Sequence, residues 1–207
     1  MTASARERAA LVETLKKVGP DAPTLCGGWT TRDLAAHLVL RERRLDAAAG
    51  ILVPALAGYT ERVQHQLATS TDWTALVDMI ASGPPLYSPF KLLDPFVNTG
   101  EMFIHHEDVR RAGPQWEPRN LDDGTVAALR RMVPMMSRMT LADAPARVVL
   151  CDRGGATVAT VGRGPEVVVT GAPPELLLFA SGRDAVRADF AGDPDTVATL
   201  RGARRGL

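Results

Sequence analysis

Hydrophobic residues recur at helical spacing through the first two-thirds of the chain. In the opening segment they are three and four positions apart from Ala9 to Val18, and the pattern ends at Gly19 and Pro20. A second segment begins at Thr30 or Thr31 and runs to about Gly50. Further helical segments are predicted over 55–68, 72–80, from after Pro95 to Gly113, and 121–139, where Pro134 should kink or shorten the helix. The sequence therefore predicts a helical bundle.

The pattern changes after Pro145. Short β-branched runs at 147–151, 156–161 and 166–170 are separated by glycine-rich turns, and helical segments follow at 173–180 and 194–200. Helices first and strands later are typical of an α+β fold. We therefore predict two domains, a helical bundle over 1–142 and a small α/β module over 143–207.

The composition narrows the class of function. The 207 residues carry 24 basic and 24 acidic side chains, a net charge of +0 that favours neither nucleic acid nor an anionic membrane as partner. The segment 1–8 is amphipathic and does not have the apolar core expected of a signal peptide. No stretch approaches the roughly 20 apolar residues of a membrane span. Cys26 and Cys151 do not suggest a disulfide framework. We expect a cytoplasmic protein that acts on small molecules, either as a monomer or as a homodimer.

The most informative spacing is that of Glu101 and His105. In a helix, residues four apart lie on one face, so a carboxylate and an imidazole there can point at a single ion. The competing interpretation is a glutamate in the first turns of a helix, where it stabilises the dipole, beside a core histidine. The spacing alone leaves both interpretations open.

His37 lies mid-helix in the second segment and is expected on or near a buried face. By itself, a histidine there is more often a hydrogen-bonded core residue than a ligand. With Glu101 and His105 it would complete a site of two histidines and one carboxylate, which suits a catalytic divalent metal with open positions.

The neighbours of these residues are assigned supporting roles. His106 is one position, or about 100°, away from His105 and cannot share its face. Asp33 lies three residues after Thr30, which favours a helix cap over a ligand. Asp108 is either a hydrogen-bond acceptor for a ligand histidine or, the favoured interpretation, a solvated charge. Cys26 has no basic neighbour in sequence, which favours an inert thiol, and His65 is expected at the surface.

Two segments resemble the signatures of one family. The segment from Trp29 to Leu38 resembles the Trp-x3-Asp-Leu-x2-His-Leu signature of the mycothiol-dependent maleylpyruvate isomerase family, within the wider DinB-like metal-binding four-helix bundles. The segment 101–110 resembles its second signature: a glutamate, three residues, a histidine and then an acidic residue. The segment 169–183 resembles the strand, turn, helix and Gly-Arg ending of the family's small C-terminal module, and Gly192-Asp193 follows in the expected place. More narrowly, the chain resembles an actinobacterial subgroup whose substrate is not assigned.

The resemblance implies a metal site, a cofactor and a class of reaction. It makes His37, Glu101 and His105 ligands of a divalent metal, usually zinc, and Arg183 a catalytic residue that binds an anionic substrate or thiol. The competing interpretation of Arg183 is a cap at a helix C-terminus. The function implied is a mycothiol-dependent isomerase or S-transferase acting on a small electrophile. The alternatives are a non-catalytic metal- or ligand-binding regulatory protein and a metal hydrolase that needs no thiol.

Overall fold

The computed structural model describes residues 2–51, 53–88, 91 and 97–203. The chain divides by packing into two compact units, Met1–Glu117 and Pro118–Leu207. The first is helical, and the second combines helices with a four-stranded sheet. The predicted α+β class is confirmed. Across the described residues, no helix combines the length and apolar character needed to span a bilayer.

Short polar segments start and stop the helices of the first unit. Thr2 caps α1, which ends at Gly19 with φ 77°, and Thr30 caps α2. Asp72 caps α5. The helices are α1 (Ala3–Val18), α2 (Thr31–Arg43), α3 (Leu45–Ala48), α4 (Ala57–Ser70), α5 (Trp73–Ala81) and α6 (Val97–Arg110), with 3-10 turns at Ala49–Ile51 and Pro54–Leu56. The predicted start of α6, after Pro95, lies outside the described residues.

The second helical segment is shorter than its hydrophobic pattern suggested. We expected it to reach Gly50, but α2 ends at Arg43, and the ψ of 72° at Arg44 leaves the helical region. The short α3 then turns the chain toward α4, so the apolar residues after Arg44 form a separate small cluster with Leu40 and Val63. Helical periodicity does not reveal a break of this kind, because both pieces keep the same spacing.

The core of the first unit lies between α1, α2, α5 and α6. Helix α1 packs against α6 and α5, and α2 packs against α4 and α5. The core residues share helical spacing and almost complete burial: Leu11, Leu15, Leu34, Leu38, Leu76, Ile80 and Met102. This packing brings the polar positions of α2 and α6 within reach of each other.

The second unit contains α7 (Asp123–Thr140), β1 (Arg147–Cys151), β2 (Thr157–Val161), β3 (Glu166–Gly171), α8 (Pro173–Ala180), β4 (Ala188–Gly192) and α9 (Pro194–Gly202). The strand order is β2-β1-β3-β4. Strand β1 pairs antiparallel with β2 and parallel with β3, and β4 closes the sheet antiparallel to β3. Alternate residues of β1 and β3 are buried, namely Val148, Leu150, Val167 and Val169.

Helix α7 belongs by packing to the second unit. It contacts α8 and β2, so the division between the two units lies at Glu117 and Pro118, earlier than the change of pattern from which the domains 1–142 and 143–207 were predicted. The helix runs through Pro134 to Thr140 and is not shortened there.

Candidate metal site

Helix α2 carries the first residue of the site. Its N-terminus is fixed by a capping box, in which the Thr30 hydroxyl accepts from the Asp33 backbone N–H while the Asp33 carboxylate accepts from the Thr30 N–H. His37 follows one turn later and is 9% exposed. The Trp29 ring lies 5.2 Å from the His37 imidazole. The predicted role of Asp33 as a cap is confirmed.

Helix α6 carries the other two residues, one turn apart. The Nε2 atom of His105 lies 3.2 Å from Oε1 of Glu101, and Nε2 of His37 lies 3.6 Å from the same oxygen. The two imidazole rings are 5.3 Å apart. The donor atoms of His37, Glu101 and His105 all lie within 4.8 Å of one another. The structure thus brings together the three residues that the sequence singled out as ligands.

Asp108 holds the opposite side of the His105 ring. Its side chain is 0% exposed, and its Oδ2 lies 2.9 Å from Nδ1 of His105. The favoured interpretation of Asp108 as a solvated charge was therefore wrong, because α6 turns this residue inward. A carboxylate on Nδ1 fixes the proton there and leaves the Nε2 lone pair for a ligand.

Cys26 has no predicted role at this site, yet the structure places its thiol there. The Cys26 thiol donates to Oδ2 of Asp108 at 3.0 Å, and its Sγ lies 3.8 Å from Nδ1 of His105. The backbone N–H of Leu25 donates to the Asp108 carbonyl at 3.1 Å. The loop before α2 is thus joined to α6 at Asp108 by a side chain and by the backbone.

Arg41 is the second residue that sequence reasoning missed. Its side chain is 5% exposed, and its Nε lies 3.4 Å from Oε1 of Glu101. Its Nη1 donates to Oδ1 of Asn98 at 2.8 Å. The signal was present in the sequence, because Arg41 stands four residues after His37 and so shares its helix face.

The charged and hydrogen-bonding side chains of the site change the pKa values of Glu101 and His105. Burial would raise the pKa of Glu101, but hydrogen bonds from His105 and His37 and the charge of Arg41 hold that pKa well below its usual range. Burial would lower the pKa of His105, but hydrogen bonds with Asp108, Cys26 and Glu101 raise that pKa well above its ordinary value. Glu101 is therefore ionised and able to ligate a cation at neutral pH.

The remaining candidate residues lie elsewhere. His106 is buried on another face of α6, where its Nε2 lies 2.8 Å from the Thr14 hydroxyl. His65 is exposed on α4, as predicted. Arg183 follows α8 in the second unit, where its Nη1 donates to the Ser181 carbonyl at 2.5 Å. That bond is the kind expected of a cap at a helix C-terminus, and the catalytic role of Arg183 stays a prediction.

The donor set suits a divalent metal. Two imidazole nitrogens and a carboxylate oxygen from two helices form a set that zinc accepts. The Nδ1 partner of His105 is a buried carboxylate, as is usual behind a metal-bound histidine. His37, Glu101 and His105 could therefore hold such an ion.

The chain is similar to known proteins both in sequence and in fold. Residues 1–169 match the family model of the mycothiol maleylpyruvate isomerase N-terminal domain. The fold is similar to the crystal structure of the mycothiol-dependent maleylpyruvate isomerase, with a TM-score of 0.59 and 16% identity over 91% of this chain and 90% of that chain. A histidine-to-alanine mutant of the isomerase matches with a TM-score of 0.57 and 17% identity over 90% of each chain. No curated protein sequence matches this chain.

Proposed function

This chain belongs to the mycothiol maleylpyruvate isomerase family, and from that membership we propose that it is a metal-dependent enzyme using mycothiol. The proposed reaction is the isomerisation of a small electrophilic substrate, or the transfer of the thiol to it. The observation that carries the proposal is the convergence of Nε2 of His37, Nε2 of His105 and Oε1 of Glu101 from two helices.

We propose zinc as the ion. Sites with two histidines and a glutamate are among the arrangements that catalytic zinc uses, and they leave a coordination position open. A divalent ion held there would supply the Lewis acidity that favours the thiolate form of a bound thiol.

The residues around the site prepare it for that chemistry. When a metal is bound, Asp108 would keep a proton on Nδ1 of His105, which leaves Nε2, the atom that faces Glu101, to ligate the ion. The charge of Arg41 lies 3.4 Å from the Glu101 carboxylate and adds to the hydrogen bonds from His105 and His37 in favouring its ionised form. The two histidine side chains are each 11% exposed, which limits water around the reacting groups. In the same proposal, Arg183 binds a carboxylate of the substrate or of the thiol, a geometry to which a guanidinium is suited.

The first test is metal analysis of the purified chain. We expect wild-type protein to retain a stoichiometric divalent ion and His37→Ala to lose it. Arg183→Ala is the matched control: it should keep the ion and lose thiol-dependent turnover of maleylpyruvate, used as the first electrophile. Full metal content in His37→Ala would exclude His37 as a ligand.

The second test measures whether a thiol coordinates the metal ion. In cobalt-substituted protein, mycothiol should change the visible absorption of the metal, because a thiolate that enters the coordination sphere adds a charge-transfer band. A metal-containing protein with an unchanged spectrum would instead be a binding or regulatory protein. Turnover in the absence of any thiol would indicate a metal hydrolase.

A further inference from the structure

Arg41 is a buried cation at the candidate metal site. Metal binding alone does not explain its presence there. A divalent ion is repelled by a nearby positive charge, yet Arg41 is 4% exposed and its Nε lies 3.4 Å from the carboxylate oxygen that faces both imidazoles. Burying a guanidinium group costs desolvation free energy, which indicates that Arg41 has a specific role beside this oxygen.

The structure holds Arg41 firmly in that position. Asn98 and Glu101 are three residues apart on α6 and therefore share a face. Asn98 is 0% exposed, and its Oδ1 accepts from Nη1 of Arg41 at 2.8 Å. The guanidinium is thus fixed between an amide and a carboxylate of the same helix, and it cannot move away from Glu101 without breaking a buried hydrogen bond.

Arg41 changes the net charge around the position of the metal. With neutral imidazoles, the charges of Arg41 and Glu101 cancel, and Asp108 behind His105 adds one negative charge. A divalent ion would then leave this group of residues with a net positive charge of about one. We infer that Arg41 is a specificity residue, whose charge makes the open position of the metal site select anionic ligands over neutral ones. The inference rests on the proposed metal site.

This role predicts affinity changes of opposite sign when the charge is removed. In Arg41→Gln, the divalent ion should bind more tightly, because a like charge has gone. An anion at the open position should bind less tightly, on the order of tenfold, because the positive charge beside Glu101 has gone. A neutral ligand should be almost unaffected. A residue that serves only to pack the site would weaken all three kinds of binding.

The experiment uses the full chain loaded with cobalt, with thiocyanate as the anionic probe and imidazole as the neutral one. Cobalt affinity is measured by competition with a chelator, and probe binding by the visible spectrum. We expect Arg41→Gln to raise cobalt affinity at least about threefold, to weaken thiocyanate binding about tenfold, and to leave imidazole binding within about twofold. Arg44→Gln removes the same charge from an exposed position after α2, and it should change none of these values.

Arg41→Lys keeps the inference testable if Arg41→Gln does not fold. It retains the charge, so cobalt and thiocyanate affinities should stay within about threefold of the wild type. The inference is overturned if Arg41→Gln weakens thiocyanate and imidazole binding equally, if it lowers cobalt affinity, or if folded Arg41→Lys loses thiocyanate binding. Wild-type protein that binds no cobalt would instead overturn the proposed metal site itself.

Discussion

Replacing Asp108 with asparagine tests how the site prepares His105 for a metal. The substitution keeps the shape of a side chain that is 0% exposed and removes its charge. In the wild type, Oδ2 of Asp108 lies 2.9 Å from Nδ1 of His105 and accepts from the Cys26 thiol at 3.0 Å. The new amide would be free to offer its NH2 group to His105, in which case the imidazole would carry its proton on Nε2, where the metal should bind.

The size of the expected loss in zinc affinity follows from the changed proton position on His105. Removing the carboxylate behind a metal-bound histidine typically lowers metal affinity 10- to 100-fold, which is about 1.4–2.7 kcal/mol. We therefore expect Asp108→Asn to weaken zinc binding by about this factor in a competition assay with a chromophoric chelator. Cys26→Ala should have a smaller effect of the same sign, because it removes only one hydrogen bond to Asp108.

The same substitution has a pH signature in the metal-free protein. Burial alone would lower the pKa of His105, but the hydrogen bond with Asp108 is the largest of the contributions that together raise it well above its ordinary value of 6.5. A pKa raised on folding means that protonated His105 stabilises the folded state. That stabilisation is fully present below about pH 6.5 and is lost as the pH rises through the folded-state pKa. The deficit of Asp108→Asn in free energy of unfolding should therefore be largest below pH 6.5 and should shrink at alkaline pH.

Urea unfolding of the metal-free proteins at a series of pH values measures this deficit. Asp78→Asn, at an exposed position on α5 in the same unit, is the matched control and should leave both zinc affinity and stability unchanged. Zinc affinity of Asp108→Asn within twofold of the wild type, or a stability deficit that does not vary with pH, would refute the reasoning.

Two further predictions concern stability. Glu42 forms a buried ion pair with Arg8, whose Nη1 also donates to the Ile80 carbonyl at 2.9 Å. The substitution Glu42→Gln removes the negative charge of this pair and leaves the buried guanidinium in place. It should therefore lower the free energy of unfolding by about 3 kcal/mol. In urea unfolding, the exposed counterpart Glu13→Gln should cost under about 0.5 kcal/mol, and equal losses in the two variants would contradict this reasoning. Gly162 has φ 76°, and a Cβ there would lie 2.2 Å from a backbone oxygen, so Gly162→Ala should destabilise the second unit by roughly 1–3 kcal/mol. An unchanged melting temperature would show that the turn adapts.

The fold class could be predicted from local patterns, but one strand could not. Helices α1, α4 and α5 lie close to the segments marked by periodicity, and β1 to β3 coincide with β-branched runs. Strand β4 has the sequence Ala-Asp-Phe-Ala-Gly, which lacks a β-branched residue. It forms by pairing with β3, where Val169 lies opposite Phe190 and Val168 opposite Ala191. Its conformation is set by the neighbouring strand and not by its own propensity.

In the candidate site, too, the sequence predicted some features and the tertiary structure decided others. The sequence by itself determined that Glu101 and His105 share a face, because residues four apart in a helix do so wherever the helix lies. It could only suggest His37 as the third member, since the approach of α2 to α6 depends on how the core residues pack. Packing also decided the burial of Asp108 and the contact of Arg41 with Glu101. A charge buried between helices changes the properties of its neighbours through distance and desolvation, and only the tertiary structure sets these two quantities.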